Sequence, residues 1–246
     1  MIERENKQQK PIQQGMEYTA CCTLADATHE PNNEEQKIKN AKRGDINFYL
    51  CDNIEFMKTK PDKYYDLAIV DPPYGLGASV VNSGGRFKRY HNKNGNWDMN
   101  TPTPKYFEQL FRVSKNQIIW GGNYFELPTN RCFLIWDKGQ PEGISFAMCE
   151  YAWASFDKVA QIYKKRTQGQ EQRFHPTQKP TDLYRWTLLN FAEKGMKILD
   201  THGGSMTIAI ACEIEGFDLD ICEIDKEYFQ AGVNAFNLHK RQQRMF

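Results

Sequence analysis

From Asp45 onward, short apolar, aromatic or β-branched runs bounded by turn residues alternate with stretches whose apolar positions recur every three or four residues. Ile46–Leu50, Leu67–Val70, Gln117–Trp120, Cys132–Trp136, Glu150–Ser155, Met196–Leu199 and Phe217–Glu223 read as strands. Lys105–Val113, Thr181–Glu193, Met206–Glu215 and Lys226–Leu238 read as amphipathic helices. This alternation predicts an α/β fold of three layers, a mainly parallel sheet with helices on both faces. Residues 1–44 break the pattern. They are rich in Gln, Asn, Lys and Glu, which predicts a polar, flexible N-terminal extension with one short helix near Glu34–Lys42 and leaves 45–246 as the working domain.

Composition narrows the class. At 246 residues with 40% hydrophobic positions, the chain can bury a full core without disulfides or metal. Its longest apolar runs, such as 66–70 and 206–212, fall far short of the ~20 residues that a membrane helix requires. The first thirty residues carry Glu3, Arg4, Glu5 and Lys7 with no apolar stretch, so no secretory signal is expected and the cytoplasm is the expected location. Seven cysteines, at 21, 22, 51, 132, 149, 212 and 222, include no Cys-x-x-Cys pair, which points to reduced, buried thiols and to no metal site. A net charge of +1 by itself argues against a nucleic-acid partner.

Two strand ends carry unusual chemistry. Leu67–Val70 runs into Asp71-Pro72-Pro73-Tyr74-Gly75, where consecutive prolines remove amide donors and fix an extended turn. A carboxylate, carbonyls and an aromatic face are displayed together there, an arrangement suited to a planar amino group on a ring that Tyr74 can stack against. The alternative reading is a Pro-Pro turn with a capping Asp. The second end is Asp200-Thr201-His202-Gly203-Gly204-Ser205-Met206-Thr207, a strand, a glycine loop and a helix start. Such a loop lets backbone approach a ligand and lends helix amides to an anion, although a tight turn explains it equally well. About twenty residues on, Glu223 closes the next strand, where a carboxylate can accept both hydroxyls of a ribose. The pair suggests an adenosine-containing cofactor, and the missing Gly-x-Gly-x-x-Gly disfavours a nicotinamide enzyme.

These segments resemble the S-adenosylmethionine-dependent DNA amino-methyltransferases, in the arrangement where Asp-Pro-Pro-Tyr precedes the cofactor loop. The likeness spans about residues 45–238 and includes Trp120-Gly121-Gly122-Asn123-Tyr124-Phe125, Ile135-Trp136-Asp137-Lys138 and His175-Pro176-Thr177-Gln178-Lys179-Pro180. The resemblance implies a Rossmann-like methyltransferase fold and S-adenosylmethionine as methyl donor. It gives Asp71, Pro72, Pro73 and Tyr74 the catalytic role, with the Asp71 side chain and Pro72 carbonyl accepting from the target amine and Tyr74 stacking on a flipped base. It assigns Asp52, Thr177, Lys179, Asp200, His202, Gly203, Gly204, Ser205, Thr207 and Glu223 to the cofactor: Glu223 at the ribose, Asp52 at the adenine amine, Lys179 near the methionine carboxylate. The chain departs from the family's usual Asp-Pro-Phe and Gly-Ser-Gly loop, with Thr201 and His202 replacing Pro-Phe and Met206 replacing the last glycine. His202 is expected to pack against or line the pocket.

Mapped along the chain, the charges no longer oppose a DNA partner. Segment 82–99 holds Arg86, Lys88, Arg89 and Lys93 against Asp98, interleaved with Phe87, Tyr90 and Trp97. Segment 154–190 holds seven basic residues, Lys164, Lys165 and Arg166 among them, against three acidic ones. The two stretches sum to +7 and the remainder to −6. Loops at about 78–103 and 157–175 are therefore the expected contacts to double-stranded DNA with a flipped target base. Little chain remains for recognition, which fits a short target or a homodimer that doubles the contacts. By resemblance, Asp in the catalytic turn favours adenine N6. The alternatives are cytosine N4, RNA adenine, or a non-catalytic nucleic-acid-binding homologue.

Overall fold

The structure, a computed structural model, describes residues 44–76, 99–141, 143, 147–166, 175 and 177–243. The elements in chain order are β1 (Ile46–Leu50), α1 (Asn53–Lys58), β2 (Tyr65–Val70), α2 (Pro104–Val113), β3 (Ser114–Trp120), β4 (Phe133–Asp137), β5 (Cys149–Ala154), β6 (Gln161–Lys164), α3 (Thr181–Phe191), β7 (Lys197–Asp200), α4 (Thr207–Glu215), β8 (Asp218–Glu223) and α5 (Lys226–Gln243). A 3₁₀ turn at Gly122–Tyr124 follows β3.

The eight strands form one sheet in the order β1-β8-β7-β2-β3-β5-β4-β6. Only β5 runs antiparallel to its neighbours β3 and β4; the other pairings are parallel. The expected three layers are present. Leu183, Leu188, Ile208, Cys212, Phe229 and Phe236 cover one face of the sheet, from α3, α4 and α5. Phe56, Met57, Tyr106, Leu110 and Val113 cover the other, from α1 and α2. Because the central strands are buried on both faces, they read as continuous apolar runs; Leu67, Ala68 and Ile69 of β2 are wholly buried.

The chain leaves the sheet centre in opposite directions. From β2 it builds outward through β3 to β6, whereas β7 leads to β8 and β1. The switch in strand order thus falls between β2 and β7, and ligands of open α/β sheets bind outside the carboxyl ends of strands at such a switch. Those two ends are Val70, before the Asp71 turn, and Asp200, before the glycine loop.

Two short elements differ from the sequence reading. Asn53–Lys58 is a single helical turn and a half, capped by the Asp52 carboxylate, which accepts from Glu55 N at 2.9 Å. Gln161–Lys164 is an edge strand parallel to β4 rather than part of an open loop at 157–175. Helix α5 also runs five residues past the expected Leu238. The extension up to residue 43, and residues 77–98 and 167–174 of the two proposed DNA loops, lie outside the described residues. No described helix is long and apolar enough to cross a membrane.

Candidate active site

A pocket of about 950 Å³, its open mouth included, lies over the carboxyl ends of β1, β8, β7 and β2. Its lining joins the acidic turn to the glycine loop: Asp71 and Pro73 on one side, and Thr201, His202, Gly203, Gly204, Ser205 and Glu223 on the other. Asp52, Thr177 and Lys179 also line it. Of the residues proposed from sequence, Pro72, Tyr74, Asp200 and Thr207 lie within two residues of lining residues in sequence but are not themselves among them.

The glycine loop is held by Glu223. Its Oε2 accepts from Gly204 N at 2.7 Å and its Oε1 from Asp225 N at 2.8 Å. The two oxygens offer about four lone-pair sites, more than these amides and that of Ile224 take up. Burial raises the Glu223 pKa, and the Asp225 and Gly204 amides pull it back. At Gly203 an added Cβ would press on Cys222 O at 3.1 Å and the Ile221 side chain, so the loop hugs β8. Helix α4 begins at Met206, a non-glycine in the left-handed region at φ 54°. Its side chain is buried against Gly232 of α5, where an added Cβ would meet Met206 Cγ at 2.6 Å. That packing accounts for a methionine at a backbone position that favours glycine.

His202 lies in the pocket wall as expected for a packing role. Its Nε2 is 3.1 Å from Asn53 Nδ2, and its Nδ1 is 3.0 Å from Thr201 Oγ1. An Asn53 amide donating to Nε2 puts the ring proton on Nδ1. Burial pushes the ring pKa down to about 3, so the imidazole is neutral at physiological pH. Burial likewise pushes the Asp200 carboxyl, which accepts from His202 N at 2.9 Å, up to about 8. A protonated Asp200 removes one negative charge from the vicinity of Asp71 and Glu223.

On the other side, Asp71 is tightly partnered. Tyr74 donates its hydroxyl to Asp71 Oδ1 at 2.6 Å, and Lys179 Nζ lies 2.5 Å from Oδ2. Lys179, only 2% exposed, also donates to the Tyr74 hydroxyl at 3.2 Å and meets Glu150 at 3.3 Å. Burial depresses the ammonium's pKa, but Asp71 and Glu150 more than offset this and hold it charged. Burial raises Asp71, with Lys179 opposing. Lys179, assigned by resemblance to a methionine carboxylate, is thus engaged by the Asp71 turn and Glu150. The Tyr74 ring stacks on Tyr124 at 5.1 Å, and an added Cβ at Gly121, where φ is 70°, would come within 2.1 Å of it. The Trp120-Gly121-Gly122 segment thus buttresses the Asp71–Tyr74 turn.

Sequence reasoning missed Cys51, Asn53, His175, Tyr184, Ile224, Asp225 and Tyr228 of the pocket lining. Asn53 and Ile224 adjoin Asp52 and Glu223, so their place next to predicted ligands was a usable signal. Glu150 gave none, because its partner Lys179 is brought to it only by the fold. Two of the proposed DNA contacts are already engaged: Lys165 pairs with Asp182, and Lys164 with Asp137 at 3.4 Å. Arg166 packs near Gly139. Arg86, Lys88, Arg89 and Lys93 lie outside the described residues.

A doubly wound sheet with a carboxylate-held glycine loop and a proline-fixed acidic turn meeting at its switch point is the plan of a Rossmann-like methyltransferase fold. Residues 119–234 match the model of the family described as DNA methylase (N6_N4_Mtase). The matched stretch begins after the Asp71 turn and runs from β3 into α5. Solved structures share the fold. The PvuII cytosine-N4-specific DNA methyltransferase aligns with a TM-score of 0.54 at 14% identity, over 79% of this chain and 86% of that one. The M1.HpyAVI–SAM complex gives 0.52 at 18%, over 78% and 99%. TTHA0409, a DNA modification methylase of Thermus thermophilus complexed with S-adenosyl-L-methionine, gives 0.50 at 16%, over 79% and 95%. A search of curated proteins finds no match.

Proposed function

We propose that the protein transfers a methyl group from S-adenosylmethionine to the N6 amine of an adenine flipped out of double-stranded DNA. The observation that carries this reading is the meeting of Asp71 and Glu223 across one pocket. The donor set suits an adenosine: Glu223 has lone pairs for ribose hydroxyls, Asp52 stands at the rim beside Asn53 for an amine, and Ile224, 70% exposed, offers an apolar surface for a ring. When bound there, S-adenosylmethionine supplies an electrophilic methyl group on a sulfonium. The chain's own part is alignment and acceptance of hydrogen bonds. The Asp71 carboxylate and Pro72 carbonyl accept from the two N–H bonds of the target amine, which localises its lone pair. Asp71 then takes the proton released as the new N–C bond forms. Tyr74 and Tyr124 give the extruded ring an aromatic surface.

Asp at position 71 supports adenine over cytosine by resemblance to adenine-directed enzymes; cytosine N4 is the competing outcome of the same assay. The charge of Arg86, Lys88, Arg89, Lys93 and Arg166 suits contacts to DNA phosphates. The reading is tested by incubating the purified full chain with methyl-labelled S-adenosylmethionine and unmethylated duplex DNA. Label in the DNA supports it, and none overturns it.

One substitution checks the donor end separately. Glu223→Gln keeps shape but replaces an acceptor oxygen with an amide donor beside the Gly204 and Asp225 amides. S-adenosylmethionine affinity by calorimetry is expected to fall roughly 10- to 100-fold. Unchanged affinity removes Glu223 from the ribose.

A further inference from the structure

Four side chains of alternating charge run from the Asp71 turn to the ends of β4 and β5. Asp71 meets Lys179, Lys179 meets Glu150 Oε2 at 3.3 Å, and Glu150 Oε1 lies 2.6 Å from Lys138 Nζ. Strand pairing sets Glu150 opposite Trp136, and Lys138 N donates to Met148 O at 3.0 Å, so the outer two members ride on a rigid hairpin. Neither Glu150 nor Lys138 lines the pocket, so ligand contact does not explain them. The Glu150 side chain is only partly buried, but it shares its two oxygens between two lysines, one of them 2% exposed, a pairing that an apolar residue at 150 would not make.

We propose that Glu150 is a positioning residue for methyl transfer: it shares the Lys179 ammonium with Asp71, so that Asp71 keeps a lone pair for the target amine. This rests on the assignment of Asp71 as the amine's acceptor. With Glu150 in place the ammonium is divided between two carboxylates; without it, Lys179 belongs to Asp71 alone, and the acceptor is weakened and drawn toward the lysine. The electrostatics agree. Beyond the large effect of burial and the opposing pull of Lys179, the Glu150 charge raises the Asp71 pKa. Asp71 is further faced by Tyr74, Tyr184 and Asp200. Lys179 is faced in addition by the Trp120 ring and by His175, which burial lowers to about 4. Burial pushes the Asp200 carboxyl up to about 8.

The test measures kcat, KM and the pH–rate profile of methyl transfer to unmethylated duplex DNA for the wild-type chain, Glu150→Gln and Lys138→Met. For Glu150→Gln, kcat is expected to drop roughly 10- to 100-fold while S-adenosylmethionine affinity stays within about threefold, and the acid limb moves to lower pH. Lys138→Met leaves Glu150 to draw more on Lys179, and the acid limb moves to higher pH. Opposite shifts distinguish positioning from loss of packing, which moves neither limb. A wild-type kcat and profile in Glu150→Gln overturns the proposal while the assigned activity stands. Should Glu150→Gln fail to fold, an unshifted Lys138→Met profile overturns it. A wild-type chain that methylates no DNA overturns both.

Discussion

Asp71→Ala is expected to abolish methyl transfer, with the rate at least about 10³-fold lower, while the protein stays folded and binds S-adenosylmethionine with near wild-type affinity. Three features of the site require this. The Asp71 carboxylate is placed at the pocket wall by the two prolines that follow it and by the Tyr74 hydroxyl on Oδ1. The donor end is held by Glu223, which Asp71 does not touch. The lysine left behind stays paired, because Glu150 is 3.3 Å away and the Tyr74 hydroxyl 3.2 Å away. Removal of Asp71 therefore takes the acceptor without stranding a charge. Single-turnover transfer of labelled methyl, run beside calorimetry, separates the two ends; full activity in the variant contradicts the mechanism.

Lys179→Met should behave in the opposite sense, as a stability lesion. Removal of a 2%-exposed ammonium leaves Asp71 and Glu150 facing each other, with Lys138 on Glu150 and the Tyr74 hydroxyl on Asp71 as their remaining described partners. Breaking a buried pair from one side costs about 3–5 kcal/mol. For a chain of this size that is a fall of roughly 6–20 °C in Tm. The deficit depends on pH with a definite sign. In the variant the folded-state carboxyl pKa values rise above their unfolded values, so the lost stability returns as acid protonates them and is greatest at neutral pH. Thermal melts from pH 5 to 8 check it: the gap to wild type should narrow toward pH 5. A pH-independent gap contradicts the buried charge network.

The contrast between these variants shows what the sequence could and could not reveal. The strands and the four longer helices were legible because each buries a continuous run or a full stripe, as in Leu67–Val70 or Lys105–Val113. The six-residue α1 and four-residue β6 carry too few periods to register, and β6 alternates half-buried with exposed positions at a sheet edge. At the site, Asp71, Gly203, Gly204 and Glu223 were legible because they stand at strand ends, where backbone turn chemistry and ligand chemistry coincide. Tyr74 and Lys179 were found, but their partners were not. Tyr124 stacks on Tyr74 across a separation of fifty residues, and Glu150 joins Lys179 from a strand whose alternation gives no sign of charge pairing. Long-range contacts of this kind follow only from the sheet order that sets β5 beside β3.

The central claim, methyl transfer to the exocyclic amine of adenine, is tested most directly by treating unmethylated duplex DNA with the purified chain and S-adenosylmethionine, digesting it to nucleosides and separating them by mass spectrometry. N6-methyladenine is the expected product, absent with Asp71→Ala. N4-methylcytosine in its place would contradict the adenine assignment, and unmodified nucleosides would contradict the account as a whole.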